Sequence, residues 1–121
     1  MEVILDSNFI ISCMIKNIPF LDQLEGQGFK VLLPKEVYQE LKDLRLNVSH
    51  KERIAIDTAL ELLGGKRVRR MKLGGKTVDD GLIAFGRKGA YIATLDAGIK
   101  REVPNRVIIS SAQKRIDIER S

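Results

Sequence analysis

Val3-Ile4-Leu5-Asp6-Ser7-Asn8 joins a short apolar run to the start of a predicted helix, with an acid at the junction. The arrangement recurs where Thr94-Leu95-Asp96 follows the apolar run that begins at Tyr91 and precedes a short predicted helix at 97–103. In an open α/β sheet, the residues just past the carboxyl ends of parallel strands collect at one edge, where ligands bind. If both runs are parallel strands, Asp6 and Asp96 therefore lie at the same edge of one sheet.

Short apolar runs alternate with helical patterns along the chain. Strands are predicted at 2–5, 30–33, 90–94 and 106–110, with a less regular edge strand at 67–71. Helices are predicted at 7–15, 18–27, 50–63, 77–88 and 97–103, together with one that follows Pro34 and buries Val37, Leu41 and Leu44. This alternation is typical of a three-layer αβα sandwich, an α/β fold around a central parallel sheet of four to five strands.

The length and composition indicate a single domain over 1–121 without a membrane-spanning segment. The 121 residues suffice for one hydrophobic core, which we expect at about residues 3–110, followed by a charged C-terminal helix or tail at 111–121. No apolar run approaches the roughly 20 residues that cross a bilayer, and the N-terminus has no secretory signal pattern. The single cysteine, Cys13, lies in an apolar stretch and is expected to be a buried thiol. We therefore expect a cytoplasmic protein with no membrane partner.

Basic residues outnumber acids and are concentrated in one segment. The formal net charge is +5, and residues 66–76 hold six cations and no acid. Such a segment is typical of a surface that binds a polyanion, although a basic run can also serve only to keep a surface solvated. Because only 5% of the residues are aromatic, stacking of bases on aromatic rings is not expected to dominate binding. The predicted polyanion-binding residues are Arg67, Arg69, Arg70, Lys72, Lys76, Lys100 and Arg101.

Four acids are predicted to gather at one edge of the sheet. Two of them, Asp6 and Asp96, follow strands, and Asp80 lies in the first turn of the helix at 77–88. Glu40 lies in the helix that follows Pro34. Gathered carboxylates repel one another unless a cation holds them, and Mg²⁺ prefers oxygen ligands of this kind. The pattern therefore predicts a divalent-metal site with all four acids as ligands, supported by three polar neighbours: Asn8, Asp79 and Thr94.

Each acid also has a simpler interpretation. Asp6 and Asp96 could each cap the helix that follows, which stabilises a helix by about 1 kcal/mol. The segment Thr77-Val78-Asp79-Asp80 matches a capping box, and Glu40 could be a solvated helix residue. Caps alone, however, do not require negative charge to be concentrated at one edge of the sheet. That concentration favours the metal site.

Together these motifs resemble those of the PIN-domain family. The residues that carry the resemblance span nearly the whole chain: Ile4-Leu5-Asp6-Ser7-Asn8, Pro34-x-x-Val37-x-x-Glu40-Leu41, Asp80-x-x-Ile83-Ala84 and Thr94-x-Asp96. PIN domains are small metal-dependent ribonucleases with a Rossmann-like αβα sandwich. The resemblance therefore implies that Asp6, Glu40, Asp80 and Asp96 hold Mg²⁺ or Mn²⁺, directly or through water. Many relatives carry another acid where this chain has Gly98, which argues against a second tightly held metal.

The resemblance implies a divalent-metal-dependent endoribonuclease that hydrolyses RNA phosphodiester bonds, with the basic residues on RNA phosphates. Asp79-Asp80 and the segment 94–101 are most similar to the branch that processes ribosomal RNA. Two alternatives remain open: a VapC-type toxin ribonuclease, which shares the four acids, and a non-catalytic RNA-binding protein of ribosome assembly. The expected partner is RNA, and the further candidates are a second copy of the chain, an antitoxin or a ribosome-assembly protein. Nucleotide-cofactor chemistry is disfavoured, because no Walker loop or Gly-x-Gly-x-x-Gly follows the first strand.

Overall fold

Strands and helices alternate through residues 1–120, which the computed structural model describes. The strands are β1 (Glu2–Leu5), β2 (Lys30–Pro34), β3 (Arg69–Met71), β4 (Tyr91–Ala93), β5 (Arg106–Ser110) and β6 (Arg115–Glu119). The helices are α1 (Ser7–Ile15), α2 (Phe20–Gly26), α3 (Lys35–Leu44), α4 (His50–Leu63), α5 (Val78–Arg87) and α6 (Ala97–Glu102).

The six strands form one sheet in the order β3-β2-β1-β4-β5-β6. The pairs β3–β2, β2–β1, β1–β4 and β4–β5 are parallel, and β6 is antiparallel to β5. The predicted parallel sheet is therefore confirmed, and it carries one additional antiparallel strand at its edge.

Alternate residues of the central strands point to opposite faces of the sheet, and helices cover both faces. In β1, Val3 and Leu5 belong to one hydrophobic cluster, whereas Ile4 belongs to another. The first cluster includes buried residues of α1, α2, α3 and α4, and the second includes Leu82 of α5 and Ile99 of α6. Strands covered on both faces bury consecutive residues, which is why they read as continuous apolar runs. The three-layer αβα sandwich is confirmed.

Strands are added on both sides of β1, which lies in the middle of the sheet. From β1 the chain passes to β2 and β3 on one side, and it then returns through α5 to β4 and β5 on the other side. In open α/β sheets such a reversal leaves a crevice outside the carboxyl ends of the two central strands. Asp6 follows β1 and Thr94 follows β4, so both residues lie at this crevice.

The C-terminal segment forms a strand, whereas we predicted a charged helix or tail at 111–121. Arg115–Glu119 pairs with β5 over its whole length. Ile116 and Ile118 alternate with charged residues, and Ile116 is buried against the core. This period of two favours a strand in spite of the high charge. Ser121, the last residue of the predicted segment, lies outside the described residues.

Three smaller predictions can be compared with the structure. Cys13 is buried as predicted, and burial raises the pKa of its thiol to about 12. The predicted burial of Leu44 is wrong, because α3 ends at this residue and leaves its side chain 40% exposed. Among the described helices, none combines the length and the apolar composition that a membrane span needs.

Gly86 lets α5 pack closely against the neighbouring elements. A Cβ at this position would lie 2.4 Å from Cγ1 of Val103 and 3.1 Å from Cγ1 of Ile92. We expect Gly86→Ala to lower the free energy of unfolding. Overpacking costs about 1–3 kcal/mol, whereas alanine favours a helix over glycine by at most about 1 kcal/mol. Urea denaturation followed by circular dichroism measures the difference.

The matched control is Gly26→Ala at the end of α2. A Cβ there meets nothing within 4 Å, so this substitution should be neutral or slightly stabilising. If Gly86→Ala were as stable as Gly26→Ala, the close packing of α5 would be contradicted.

Candidate metal centre

Asp6 lies buried at the crevice between β1 and β4. Its backbone N–H donates to the carbonyl of Ala93 at 2.9 Å, which continues the contact between the two strands. Its Oδ1 accepts from the N–H of Ser7 at 2.9 Å, and its Oδ2 accepts from the hydroxyl of Thr94 at 2.6 Å. The residue is only 5% exposed. Groups from the ends of both strands therefore hold this carboxylate in place.

The turn after β4 brings Asp96 toward Asp6. The hydroxyl oxygen of Thr94 accepts from the N–H of Asp96 at 3.1 Å while its hydrogen is donated to Asp6. The Oδ1 of Asn8, in α1, accepts from the N–H of Leu95 at 3.0 Å. Asn8 and Thr94 thus fasten the turn that carries Asp96.

Glu40 brings a third carboxyl group from α3. Its Oε1 is buried and has no hydrogen-bond partner among residues 1–120. Desolvation by burial raises the pKa of Glu40, the hydroxyl of Ser7 opposes this shift, and the charges of Asp6 and Asp79 add to it. A buried polar atom without a protein partner is rare in folded proteins, and a bound water or ion commonly accounts for one.

Two adjacent acids at the start of α5 differ in their relation to this site. The charge of Asp79 raises the pKa of both Asp6 and Glu40, whereas Asp80 is not among the charges that act on either group. Asp80 instead donates its backbone N–H to the hydroxyl of Thr77 at 3.1 Å. We predicted Asp80 as a ligand and Asp79 as its support. Adjacent residues of a helix point in directions about 100° apart, so Asp79 and Asp80 cannot face the crevice in the same way, and their roles stay predictions.

Negative charge is concentrated at the crevice. Desolvation by burial has the largest effect on Asp6 and raises its pKa, while the hydroxyl of Thr94 and the N–H of Ser7 lower it. The charges of Asp79 and Asp96 raise the pKa further. The protein alone therefore disfavours ionisation of Asp6 and Glu40, and a bound cation would favour it.

Helix caps are also present at these positions. Asp6 caps α1, and the Oδ1 of Asp96 accepts from the N–H of Ile99 at 3.1 Å at the start of α6. Capping does not exclude metal binding, because each carboxylate oxygen has two lone pairs. Nor do the caps account for the buried Oε1 of Glu40.

These carboxylates do not form a closed metal site. Within residues 1–120, no three His, Cys, Asp or Glu side chains are grouped so that they could hold a metal ion by themselves. The oxygen-only donors nevertheless suit Mg²⁺ or Mn²⁺. Mg²⁺ keeps several waters and is commonly held by one or two carboxylates. With a buried and unpartnered oxygen on Glu40, the residues fit a cation that is bound partly through water.

Several of the predicted RNA-binding cations follow β3 or lie in α6, and both segments come after the carboxyl end of a parallel strand. A Cβ at Gly98 would lie 3.0 Å from Oδ1 of Asp96 and 4.0 Å from Nη2 of Arg101, so the guanidinium group lies near this acid. Arg101 is exposed and forms no ion pair within the described part of the chain. The crevice-side cations are Lys72, Lys76, Lys100 and Arg101.

The other predicted RNA-binding cations lie in or before β3. Arg67 precedes this strand, at the edge of the sheet opposite the crevice, and forms ion pairs with Asp22 and Glu25. The guanidinium group of Arg70 lies 3.7 Å from the ring centroid of Tyr38. These interactions give Arg67 and Arg70 structural partners within the protein. The residues of this group are Arg67, Arg69 and Arg70.

Comparison with known proteins relates this arrangement to a known family. The sequence matches the family model of the PIN like domain over residues 3–113. The chain belongs to the PIN-like domain family. The family resemblance predicted from the motifs is thus confirmed.

Two solved structures illustrate the shared fold. The PIN domain endonuclease Utp24 matches with a TM-score of 0.76 and 23% sequence identity, over 99% of this chain and 92% of that one. A chain of VapBC2 from Rickettsia felis also matches, in a structure where VapBC2 is bound to a DNA fragment from its promoter. The TM-score is 0.56 and the sequence identity is 14%, over 97% of this chain and 100% of that one. A search of curated proteins found no match.

Two residues near the centre of this PIN domain were missed from the sequence. Ser7 lies beside Asp6, and its hydroxyl lowers the pKa of Glu40. Glu36, four residues before Glu40, accepts hydrogen bonds from the backbone between β3 and α5. Its spacing from Glu40 on α3 is the one signal for this role in the sequence.

Asp6→Asn tests the cost of ionising the buried Asp6 carboxyl group in the absence of RNA. Because the folded protein raises the pKa of Asp6, its ionisation costs stability. That cost appears as the pH rises from the ordinary carboxyl range, near about 4, through the raised folded value. In chelator-treated buffer, the melting temperature of Asp6→Asn relative to the unchanged protein should therefore increase between about pH 4 and about pH 7.

Asp57→Asn is the control with the opposite sign. Arg45 lowers the pKa of Asp57 through a hydrogen bond, so the benefit of its charge is present above the ordinary carboxyl pKa and is lost on acidification. The relative melting temperature of this variant should fall slightly as the pH rises. If both variants followed the same trend with pH, the raised pKa of Asp6 would be contradicted.

Proposed function

We propose that this PIN domain is a divalent-metal-dependent endoribonuclease that hydrolyses RNA phosphodiester bonds. The observation that carries the proposal is the buried Oε1 of Glu40, which lacks a protein partner and experiences the charges of Asp6 and Asp79. A cation is the partner that would satisfy this oxygen and offset the repulsion at once. The proposed ligands of Mg²⁺ or Mn²⁺ are Asp6, Glu40, Asp79 and Asp96, with Asp80 as the alternative from α5.

The residues of the proposed centre would have different roles in the hydrolysis of a phosphodiester. A bound Mg²⁺ or Mn²⁺ would supply Lewis-acid chemistry and lower the pKa of a bound water. Asp6 and Asp96 are held by Thr94 and provide fixed oxygens, whereas Glu40 has an oxygen free to accept from a water molecule. The exposed guanidinium of Arg101 is placed to hold a phosphate oxygen beside Asp96.

RNA is proposed as the substrate from the motif resemblance and from the cations on the crevice side. A role in ribosomal-RNA processing follows from Asp79-Asp80 and the segment 94–101. A VapC-type toxin is the second candidate, with an antitoxin as its partner. A small antitoxin reading frame immediately upstream of the gene would favour the toxin, and an rRNA precursor that accumulates on deletion of the gene would favour processing.

Asp79→Asn and Asp80→Asn distinguish the two candidate ligands of α5. We expect Asp79→Asn to abolish Mn²⁺-dependent cleavage of single-stranded RNA, because Asp79 is the acid whose charge acts on Asp6 and Glu40. It should also reduce the rise in melting temperature that Mn²⁺ causes by binding the folded state. Asp80→Asn is the matched control, and it should retain both properties.

If instead Asp80→Asn lost cleavage and stabilisation by Mn²⁺ while Asp79→Asn retained both, Asp80 would be the ligand from α5. A melting temperature of the unchanged protein that is indifferent to Mn²⁺, together with cleavage that a chelator does not affect, would reject the metal centre. Binding of RNA without any cleavage would favour the non-catalytic alternative.

We expect substitutions in the two groups of cations to have different effects on RNA binding. Replacing Lys100 and Arg101 together by alanine should weaken binding to unrelated RNA sequences and flatten its salt dependence. The slope of log affinity against log salt should change by about 1.4, since each phosphate that a cation neutralises on a single strand adds about 0.7 to this slope. Fluorescence anisotropy at several salt concentrations measures the slope.

Arg67→Ala is the matched control, because Arg67 is paired with Asp22 and Glu25 at the opposite edge. Its salt slope should equal that of the unchanged protein. If Arg67→Ala flattened the slope and the α6 variant did not, the proposed RNA path along the crevice would be wrong.

A further inference from the structure

Glu36 holds the loop that leads from β3 into α5. Its two carboxylate oxygens each lie 3.1 Å from the backbone nitrogen of Leu73, and Oε2 also accepts from the N–H of Gly74 at 3.2 Å. Desolvation raises the pKa of Glu36, but these N–H donors and the charge of Lys72 outweigh it, so the pKa lies below its ordinary value. At neutral pH the group is therefore an ionised carboxylate bound to the backbone.

The loop in turn determines where α5 begins. Leu73 is buried, and a Cβ at Gly81 in α5 would lie 2.8 Å from the Cβ of Leu73 and 3.1 Å from the carbonyl oxygen of Gly74. Gly74 has a φ of 70°, a conformation that glycine adopts readily. With so little space between loop and helix, a shift of the loop would move the first turn of α5, which carries Asp79.

One helix thus makes two connections to the centre. Glu36 and Glu40 are four residues apart on α3 and lie on the same side of it. Glu40 supplies its own carboxylate to the centre, while Glu36 fixes the loop on which the placement of Asp79 depends. We propose that Glu36 is a positioning residue that sets the separation between Glu40 and Asp79, and thereby the affinity of the centre for its divalent cation. This inference rests on the proposed function.

The test is the affinity of the full chain for Mn²⁺, measured by isothermal titration calorimetry for the unchanged protein, Glu36→Ala and Glu36→Gln. Replacing a group that orients metal ligands commonly weakens metal affinity by about 10–100-fold, and we expect Glu36→Ala in this range. Glu36→Gln keeps an oxygen that can accept from Leu73, so it should lose less affinity. Both variants remove the same charge, so a purely electrostatic effect would weaken binding equally in the two.

The same substitutions in an Asp79→Asn background separate positioning from long-range charge. If Glu36 acts through Asp79, Glu36→Ala should weaken Mn²⁺ binding far less in that background than in the unchanged protein, as coupled residues do in a double-mutant cycle. An equal loss in both backgrounds that shrinks with added salt would overturn the inference, because surface charge effects are screened in this way.

Ile56→Val controls for lost stability alone. Ile56 is buried in α4, and removing one methyl group from it should cost about 0.5–1.5 kcal/mol without changing the affinity for Mn²⁺. If the unchanged protein does not bind Mn²⁺, the proposed function fails and this inference fails with it. If the unchanged protein binds Mn²⁺ and both Glu36 variants bind it with the same affinity as the unchanged protein, only the inference is overturned.

Discussion

Parallel pairing of β1 with β4 is the constraint on which the centre depends. The register aligns Leu5 with Ala93, so the chain leaves both strands at the same level and Asp6 meets Thr94 directly. A slip of one residue would turn every side chain of β1 to the other face of the sheet, exchanging Ile4 with Leu5 between the two hydrophobic clusters. The apolar packing that forbids this slip therefore also fixes the position of the first carboxylate.

The cost of burying charged acids at the crevice opposes that packing. Burial and neighbouring charges raise the pKa of Asp6 and Glu40, so the metal-free fold is less stable at neutral pH than it would be with neutral residues in their place. The protein compensates the two groups unequally. Asp6 accepts from Ser7 and Thr94, whereas the Oε1 of Glu40 accepts from no described residue. Ionisable groups held against their own stability in this way are characteristic of functional sites.

Most of the sheet, and the positions of two acids after strands, could be predicted from the sequence for a common reason. Strands covered on both faces read as continuous apolar runs, and an acid directly after such a run, as at Asp6 and Asp96, has its position set by the strand. The acids on helices are harder to place, because the rotation of the helix decides between neighbours such as Asp79 and Asp80. Glu36 was missed because its partners, Leu73 and Gly74, are 37 and 38 residues away. Strand β6 was missed because its charges concealed the alternation of Ile116 and Ile118.

The centre thus has two halves that differ in how they are held. Asp6, Thr94 and Asp96 are joined by hydrogen bonds at the ends of adjacent strands, so the sheet sets the position of this half. Glu40 and Asp79 are carried by helices on opposite faces of the sheet, and α3 reaches the start of α5 through the bonds of Glu36. A cation at the proposed centre would have to contact both pairs, so its ligands depend on the relative position of two helices as well as on the sheet. Because Glu36 accepts from the backbone of the loop between β3 and α5, that loop connects the two helices beside the sheet.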